Sequence, residues 1–187
     1  MQLPFNEVKS TQAAGRFLEL AGGKLNYMVL IKLLYMLDRA AMFKWGRPVT
    51  FDEYYSMKNG PVLSAVHDLI TEQCPPQEGG YWSLHISEPS GYSVSLRSAA
   101  GNDALSEAEE ELIQSVFAEY TPYLSRPFEL VELLHKILPE WTEISSGRVL
   151  LSHRDILKAA DKTDAEVEAI TQDLESLGSD YRALMVR

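Results

Sequence analysis

Apolar residues recur at three- and four-residue steps along most of the chain, and that period predicts helices. In residues 12–21 (QAAGRFLELA), Ala13, Ala14, Phe17, Leu18 and Ala21 fall on one helical face, and Gly22 and Gly23 supply a stop. The strongest helical pattern starts at Asn26, where Tyr27, Leu30, Ile31, Leu34, Leu37 and Ala41 form a stripe interrupted by Lys32, Asp38 and Arg39. It reads as a central core helix ending at Gly46, with Pro48 just beyond. The Asp38-Arg39 pair falls away from Leu30, Leu34 and Leu37, so the pattern places it in solvent. Gly60 and Pro61 read as the cap and first position of a helix with Val62, Val66, Leu69 and Ile70 turned inward, closed by the loop CPPQEGG.

The period then changes to two. Trp82, Leu84 and Ile86 share one face of YWSLHI, and Tyr92, Val94 and Leu96 one face of YSVSLR, with a short turn between them. This predicts a β-hairpin with one buried face, which must lie against the helices because a lone hairpin is marginal in water. Helical spacing resumes in three capped segments. Ser106 and Glu109 form a capping box ahead of Leu112, Val116, Phe117 and Tyr120; Ser152 with Asp155 and Thr163 with Glu166 repeat the pattern. Between the first two, Pro127 to Ile137 carries Leu130, Leu133, Leu134 and Ile137. The expected fold is α+β: a predominantly helical single domain of six or seven helices with one small antiparallel β-hairpin.

Composition bounds what such a domain does. With 187 residues and 45% hydrophobic content, the chain is long enough for one real core. No stretch is long and apolar enough to span a bilayer, and MQLPFNEVKS lacks the features of a secretory signal, so a cytoplasmic location is expected. The single cysteine, Cys74, excludes a disulfide framework and a cysteine-rich zinc site. A net charge of -10 argues against nucleic acid as the main partner, and serves either solubility or steering toward a basic protein.

Motifs for catalysis are missing. There is no phosphate-binding glycine loop, HExxH, nucleophile elbow or paired-cysteine spacing, and neither a metal nor a cofactor is implied. His67, His85, His135 and His153 are scattered over separate segments, with His85 expected in solvent and His135 beside an apolar stripe. A hydrolase or transferase would have to use His135 and Glu132 in a cleft; an autoregulatory DNA-binding protein is a further alternative that the acidic balance disfavours.

Residues 30–70, LIKLLYMLDRAAMFKWGRPVTFDEYYSMKNGPVLSAVHDLI, carry three pieces at a specific spacing. They are Lys32-Leu33-Leu34-Tyr35, Gly46-Arg47-Pro48-Val49, and Tyr54 followed by Gly60-Pro61-Val62. Together they closely resemble the signature region of the Panacea domain, the SocA-like antitoxin family. Leu133, His135, Trp141 and Ser152 to Ile156 resemble its closing region, so the likeness extends over about residues 10 to 160. The resemblance implies a mainly helical, non-enzymatic antitoxin, also seen among phage-associated proteins, that neutralises a cognate protein toxin by direct binding.

Within that reading, DEYYSMKNGPV (residues 52–62) is either a helix-entry loop whose tyrosines plug the core or a toxin-facing surface. Both hold if Tyr54 points inward and Tyr55 outward. Tyrosine offers large contact area at small entropic cost, and Lys58 and Asn59 are expected to sit at a helix N-terminus, ready for an acidic or carbonyl group. The expected partner-binding residues are Tyr54, Tyr55, Lys58, Asn59 and Trp141. The chain divides into a Panacea-like domain at 1–162 and a C-terminal helix and tail at 163–187. In that tail Val167, Ile170, Leu174 and Leu177 make a narrow stripe on an acidic helix. It is expected to pack as a lid on the domain, the alternative being an arm for homodimerisation or for a basic toxin.

Overall fold

One helix organises the core. Helix α2 (Tyr27–Trp45) starts where the Asn26 side chain accepts the Met28 N–H at 2.9 Å, and ends where Gly46 takes the left-handed conformation (φ 72°). Val29, Leu30, Leu33, Leu34, Leu37 and Ala41 are fully buried on it. Helices α1 (Glu7–Leu20) and α5 (Glu107–Tyr120) pack on α2 and on each other, and α6 (Pro127–Ile137) and α7 (His153–Lys158) reach it further round. The structure, a computed structural model, describes residues 5–71 and 80–185, with side chains to residue 177; Cys74 lies outside the described residues.

Helix α8 (Asp164–Met185) packs on α7 and runs through Gly178 rather than stopping there. The capping boxes expected at Ser106 and Ser152 are present. Thr163 and Glu166 exchange the same pair of bonds at the start of α8. Each satisfies N–H groups that a helix start leaves without intrahelical partners. Short helices α3 (Ser64–Thr71) and α4 (Tyr81–His85) complete the helical set of eight among the described residues. Two small antiparallel sheets accompany them: β1 (Lys24–Asn26) with β4 (Ser93–Ser95), and a three-stranded sheet in the order β3 (Gly60–Leu63), β2 (Tyr54–Met57), β5 (Val149–Leu151). The chain is thus one α+β domain, 57% helical.

The strands fall elsewhere than the period-two reading placed them. Residues 81–85 form helix α4, because Trp82 and Ile86 are four apart and one turn buries both. Leu84, expected inside, is 55% exposed, and the Tyr81 and His85 rings meet across the same turn at 4.5 Å. Only the second half of the expected hairpin is a strand, and it pairs with β1; two isolated bridges, Ile86 to Leu96 and Ser90 to Ser93, link it back.

The hairpin lies instead at 54–63, with Met57 opposite Gly60 across the Lys58-Asn59 turn. Gly60 and Pro61 therefore do not open a helix. Pro61 is tolerated because β3 is an edge strand, where a missing N–H leaves no ladder bond unmade. Lys58 and Asn59 accordingly sit in a hairpin turn and not at a helix N-terminus.

Candidate functional site

The polar residues that interrupt the α2 stripe do not face water. Lys32, Tyr35 and Asp38 are spaced three residues apart and Arg39 lies four beyond Tyr35, hence along one side of the helix. Lys32 and Asp38 are 2% and 0% exposed. Each is bound to a different piece of the signature region.

Asp38 corrects the expectation of a solvated pair most clearly. Its Oδ1 accepts the N–H groups of Val49 (2.7 Å) and Thr50 (2.9 Å), and its Oδ2 accepts the hydroxyls of Tyr54 (2.8 Å) and Thr50. One buried carboxylate thus fixes both the Gly46-to-Thr50 loop and the first residue of β2. Burial pushes its pKa up, while the four donors pull it back down. Burial, and then the charge of Asp38, hold the Tyr54 phenol well above its usual range, so it remains a donor.

Arg39 binds Glu140, its Nε at 2.6 Å and Nη2 at 3.3 Å from the two carboxylate oxygens, and the Tyr35 hydroxyl donates to the same carboxylate at 2.9 Å. The rings of Tyr35 and Tyr54 meet edge-on at 5.8 Å, and His153 of α7 meets Tyr54 edge-on at 5.6 Å. A third carboxylate, Asp52, accepts the N–H groups of Ala65 and Val66 and so caps α3; burial raises its pKa to about 7.

Under the hairpin tip, the Lys32 ammonium donates to the Pro61 carbonyl at 2.6 Å. Gly60 has a double reason to be glycine. Its φ is +91°, and a Cβ there would come within 3.2 Å of Lys32 Nζ and 3.6 Å of His135 Nε2. His135 stacks flat on Trp141, centroids 3.7 Å apart and planes 5° apart. The Trp141 indole N–H donates to the Met57 carbonyl at 3.1 Å, and the Thr142 N–H to Ser56 Oγ at 3.3 Å. The stretch after α6 is thereby laid along the hairpin.

These contacts give the three-stranded sheet two unlike faces. Tyr54, Ser56, Leu63 and Leu151 are buried on the inner one. Tyr55 lies directly across from Val62 on one side and Leu150 on the other, so these three share the outer face. Leu150 is 58% exposed, and the Arg148 guanidinium lies over the Tyr55 ring at 4.6 Å. Lys58 and Asn59 are exposed at the tip, while Tyr55 and Trp141 are half-buried at its flanks. The expected site residues Tyr55, Lys58, Asn59 and Trp141 therefore gather around one hairpin. Tyr54 holds that hairpin from beneath.

Residues 148–151, which complete the outer face, carried no signal in the sequence beyond a short apolar run. Glu132 is exposed, whereas the His135 Nε2 is buried toward Gly60 and has no hydrogen-bond partner. Among the described residues no group of three His, Cys, Asp or Glu side chains is placed to hold a metal ion. No described helix is long and apolar enough to cross a membrane.

The family model described as "Antitoxin SocA-like, Panacea domain" matches residues 30–142, which run from Leu30 within α2 through the hairpin and α3 to α6 to just past Trp141. No curated protein and no solved structure matches the chain. The buried partners of Lys32, Tyr35, Asp38 and Arg39 all lie inside the matched segment. With well over half of its length matched, the chain belongs to the SocA-like antitoxin family and carries its Panacea domain.

Proposed function

We propose that this protein is an antitoxin that neutralises a cognate protein toxin by binding it directly, through the outer face and tip of the 54–63 hairpin. The observation that carries the reading is the division of labour within the signature region. Its polar residues are spent inside, holding the hairpin to α2, while Tyr55, Lys58 and Asn59 are left on the outside beside Leu150 and Trp141. A rigid hairpin presenting an aromatic ring, an exposed leucine and adjustable polar groups suits protein recognition, where preformed aromatic contacts carry much of the affinity. Such an antitoxin acts in the cytoplasm, beside its toxin.

Residues 163–187 are proposed to be a lid on the 1–162 domain. Val167 and Leu174 are 1% and 3% exposed, and Ile170 covers Gly46, its Cγ2 3.3 Å from where a Cβ would stand. Leu177, at 49% exposure, is the member of the expected stripe left outside.

The function is tested by expressing any small reading frame that neighbours this protein's gene, alone and together with it. The account expects growth arrest by that product alone, rescue on co-expression, and a complex that survives purification. Rescue without any complex would count against direct binding.

A further inference from the structure

A buried lysine without a carboxylate partner is unusual, since lysine is almost never fully buried unless paired. Lys32 is 2% exposed, and its one bond runs to the neutral Pro61 carbonyl. Among the described residues no acid forms an ion pair with it, and burial lowers its pKa to about 7. Facing it from α6 is His135, whose Nε2 has no partner. Both nitrogens lie within 3.6 Å of the point where a Gly60 Cβ would stand, so glycine keeps the gap between them open.

What rests on this pair is the tip of the hairpin. Lys32 holds β3 through Pro61, and His135 supports Trp141, which in turn holds β2 through Met57. We propose that Lys32 and His135 form a proton-operated latch beneath the hairpin. With at most one of them charged, the tip and Trp141 are held against α2 and α6; with both charged, their repulsion drives the tip and Trp141 away.

The order of protonation follows from the surroundings. Lys32 charges first on acidification, and its ammonium keeps its bond to the Pro61 carbonyl. His135 charges later, because burial and then the Lys32 charge lower its pKa below the usual 6.5. Glu143, on the segment after Trp141, works in the opposite direction on His135. β3 brings only uncharged Gly60 and Pro61 to the gap. The nearby charges of Lys58 in the turn and of Glu132 and Lys136 on α6 are exposed and screened. Two like charges facing each other across the Gly60 gap, with Lys32 and the His135 Nε2 buried, repel strongly. The device therefore opens in acid, once His135 takes up its proton.

This goes beyond the proposed toxin binding, and its test needs no toxin. The probe is proton exchange at the Trp141 indole N–H and the Gly60 amide, followed by NMR in the full-length protein from about pH 8 to about pH 5. After correction for intrinsic exchange, protection at both sites is expected to fall about tenfold or more below the His135 midpoint, with the Trp45 and Trp82 indoles unaffected. Lys32→Met, which loses the Pro61 bond at every pH, and His135→Phe, which keeps the stack on Trp141, are each expected to show protection that does not fall further in acid. Constant protection in the unsubstituted protein, or the same loss in His135→Phe, overturns the latch. Should Lys32→Met fail to fold, the His135→Phe comparison decides alone.

Discussion

The Tyr54 hydroxyl donates to the Oδ2 of Asp38 at 2.8 Å, sixteen positions away in sequence and wholly out of solvent. That bond ties the start of the hairpin to the middle of α2. Tyr54→Phe removes a single donor from a carboxylate that keeps three others, so a loss of about 1–2 kcal/mol is expected. Asp38→Ala strands the Val49 and Thr50 N–H groups and two hydroxyls, and about 3 kcal/mol or more should be lost. Urea unfolding of the two variants checks both values. Equal, small losses would mean that the network does not hold the fold.

Lys32 makes stability depend on pH in a defined direction. Its pKa is about 7 in the folded protein against 10.5 in the unfolded chain. Between those values the unfolded state binds more protons, so stability rises with pH across the window and is lowest below it. Lys32→Met should flatten this slope. Near neutral pH it should also regain part of the few kcal/mol that a charged buried lysine costs, less the penalty of leaving the Pro61 carbonyl unpaired. Thermal unfolding at several pH values reads the slope directly.

How much of this was legible in the sequence differs by element. The long helices, their caps and the α+β class followed from three- and four-residue spacing and from capping boxes at Ser106, Ser152 and Thr163. The signature pieces 32–35, 46–49 and 54–62 located the site by resemblance. What they do was hidden, because a charge on a helix reads as solvated unless its partners are known. The partners of Asp38 and Arg39 lie in a loop, a strand and Glu140, up to 101 positions away. Trp82, Leu84 and Ile86 misled for a local reason, since positions four apart satisfy one helical turn as well as an alternating strand. The hairpin at 54–63 was masked by Gly60-Pro61, a pair that opens helices as readily as it ends a turn at a sheet edge. Cys74 lies outside the described residues.

Gly46 and Ile170 couple the signature loop to the C-terminal helix. Gly46→Ala must accept φ +72° and crowd Ile170 at 3.3 Å, and should cost about 1–2 kcal/mol. Deletion of residues 163–187 should cost roughly 3–6 kcal/mol, from losing the burial of Val167 and Leu174 alone. If α8 is a lid, the two changes couple, and Gly46→Ala costs less in the truncated chain. If α8 is a partner arm, truncation leaves the unfolding midpoint in place and reduces binding or self-association instead.

Gly60→Ala separates the hairpin tip from the rest of the fold. The new Cβ meets Lys32 Nζ at 3.2 Å and needs a backbone conformation at φ +91° that alanine resists, so a loss of about 1–3 kcal/mol is expected. The damage should be local. Amide exchange should speed up at residues 57–62 and at the Trp141 indole well before α2 and α5 are affected. A uniform change across the molecule would speak against a hairpin pinned mainly by Lys32 and Trp141.

The central claim is that the signature region builds a rigid hairpin from inside so that its outside can bind a toxin. Calorimetric titration of the purified toxin against Tyr55→Ala and Lys58→Glu tests it most directly, with thermal unfolding measured alongside. Lys58→Glu should leave the unfolding midpoint within a degree or two of the unsubstituted protein, and Tyr55→Ala, which loses packing against Val62, Leu150 and Arg148, should lower it by only a few degrees in a protein that still folds. Toxin affinity should fall about tenfold or more for each variant, the size of effect expected for a contact near the centre of an interface. Unchanged affinity for both variants, in proteins that still neutralise the toxin, would contradict the account and move the binding surface elsewhere.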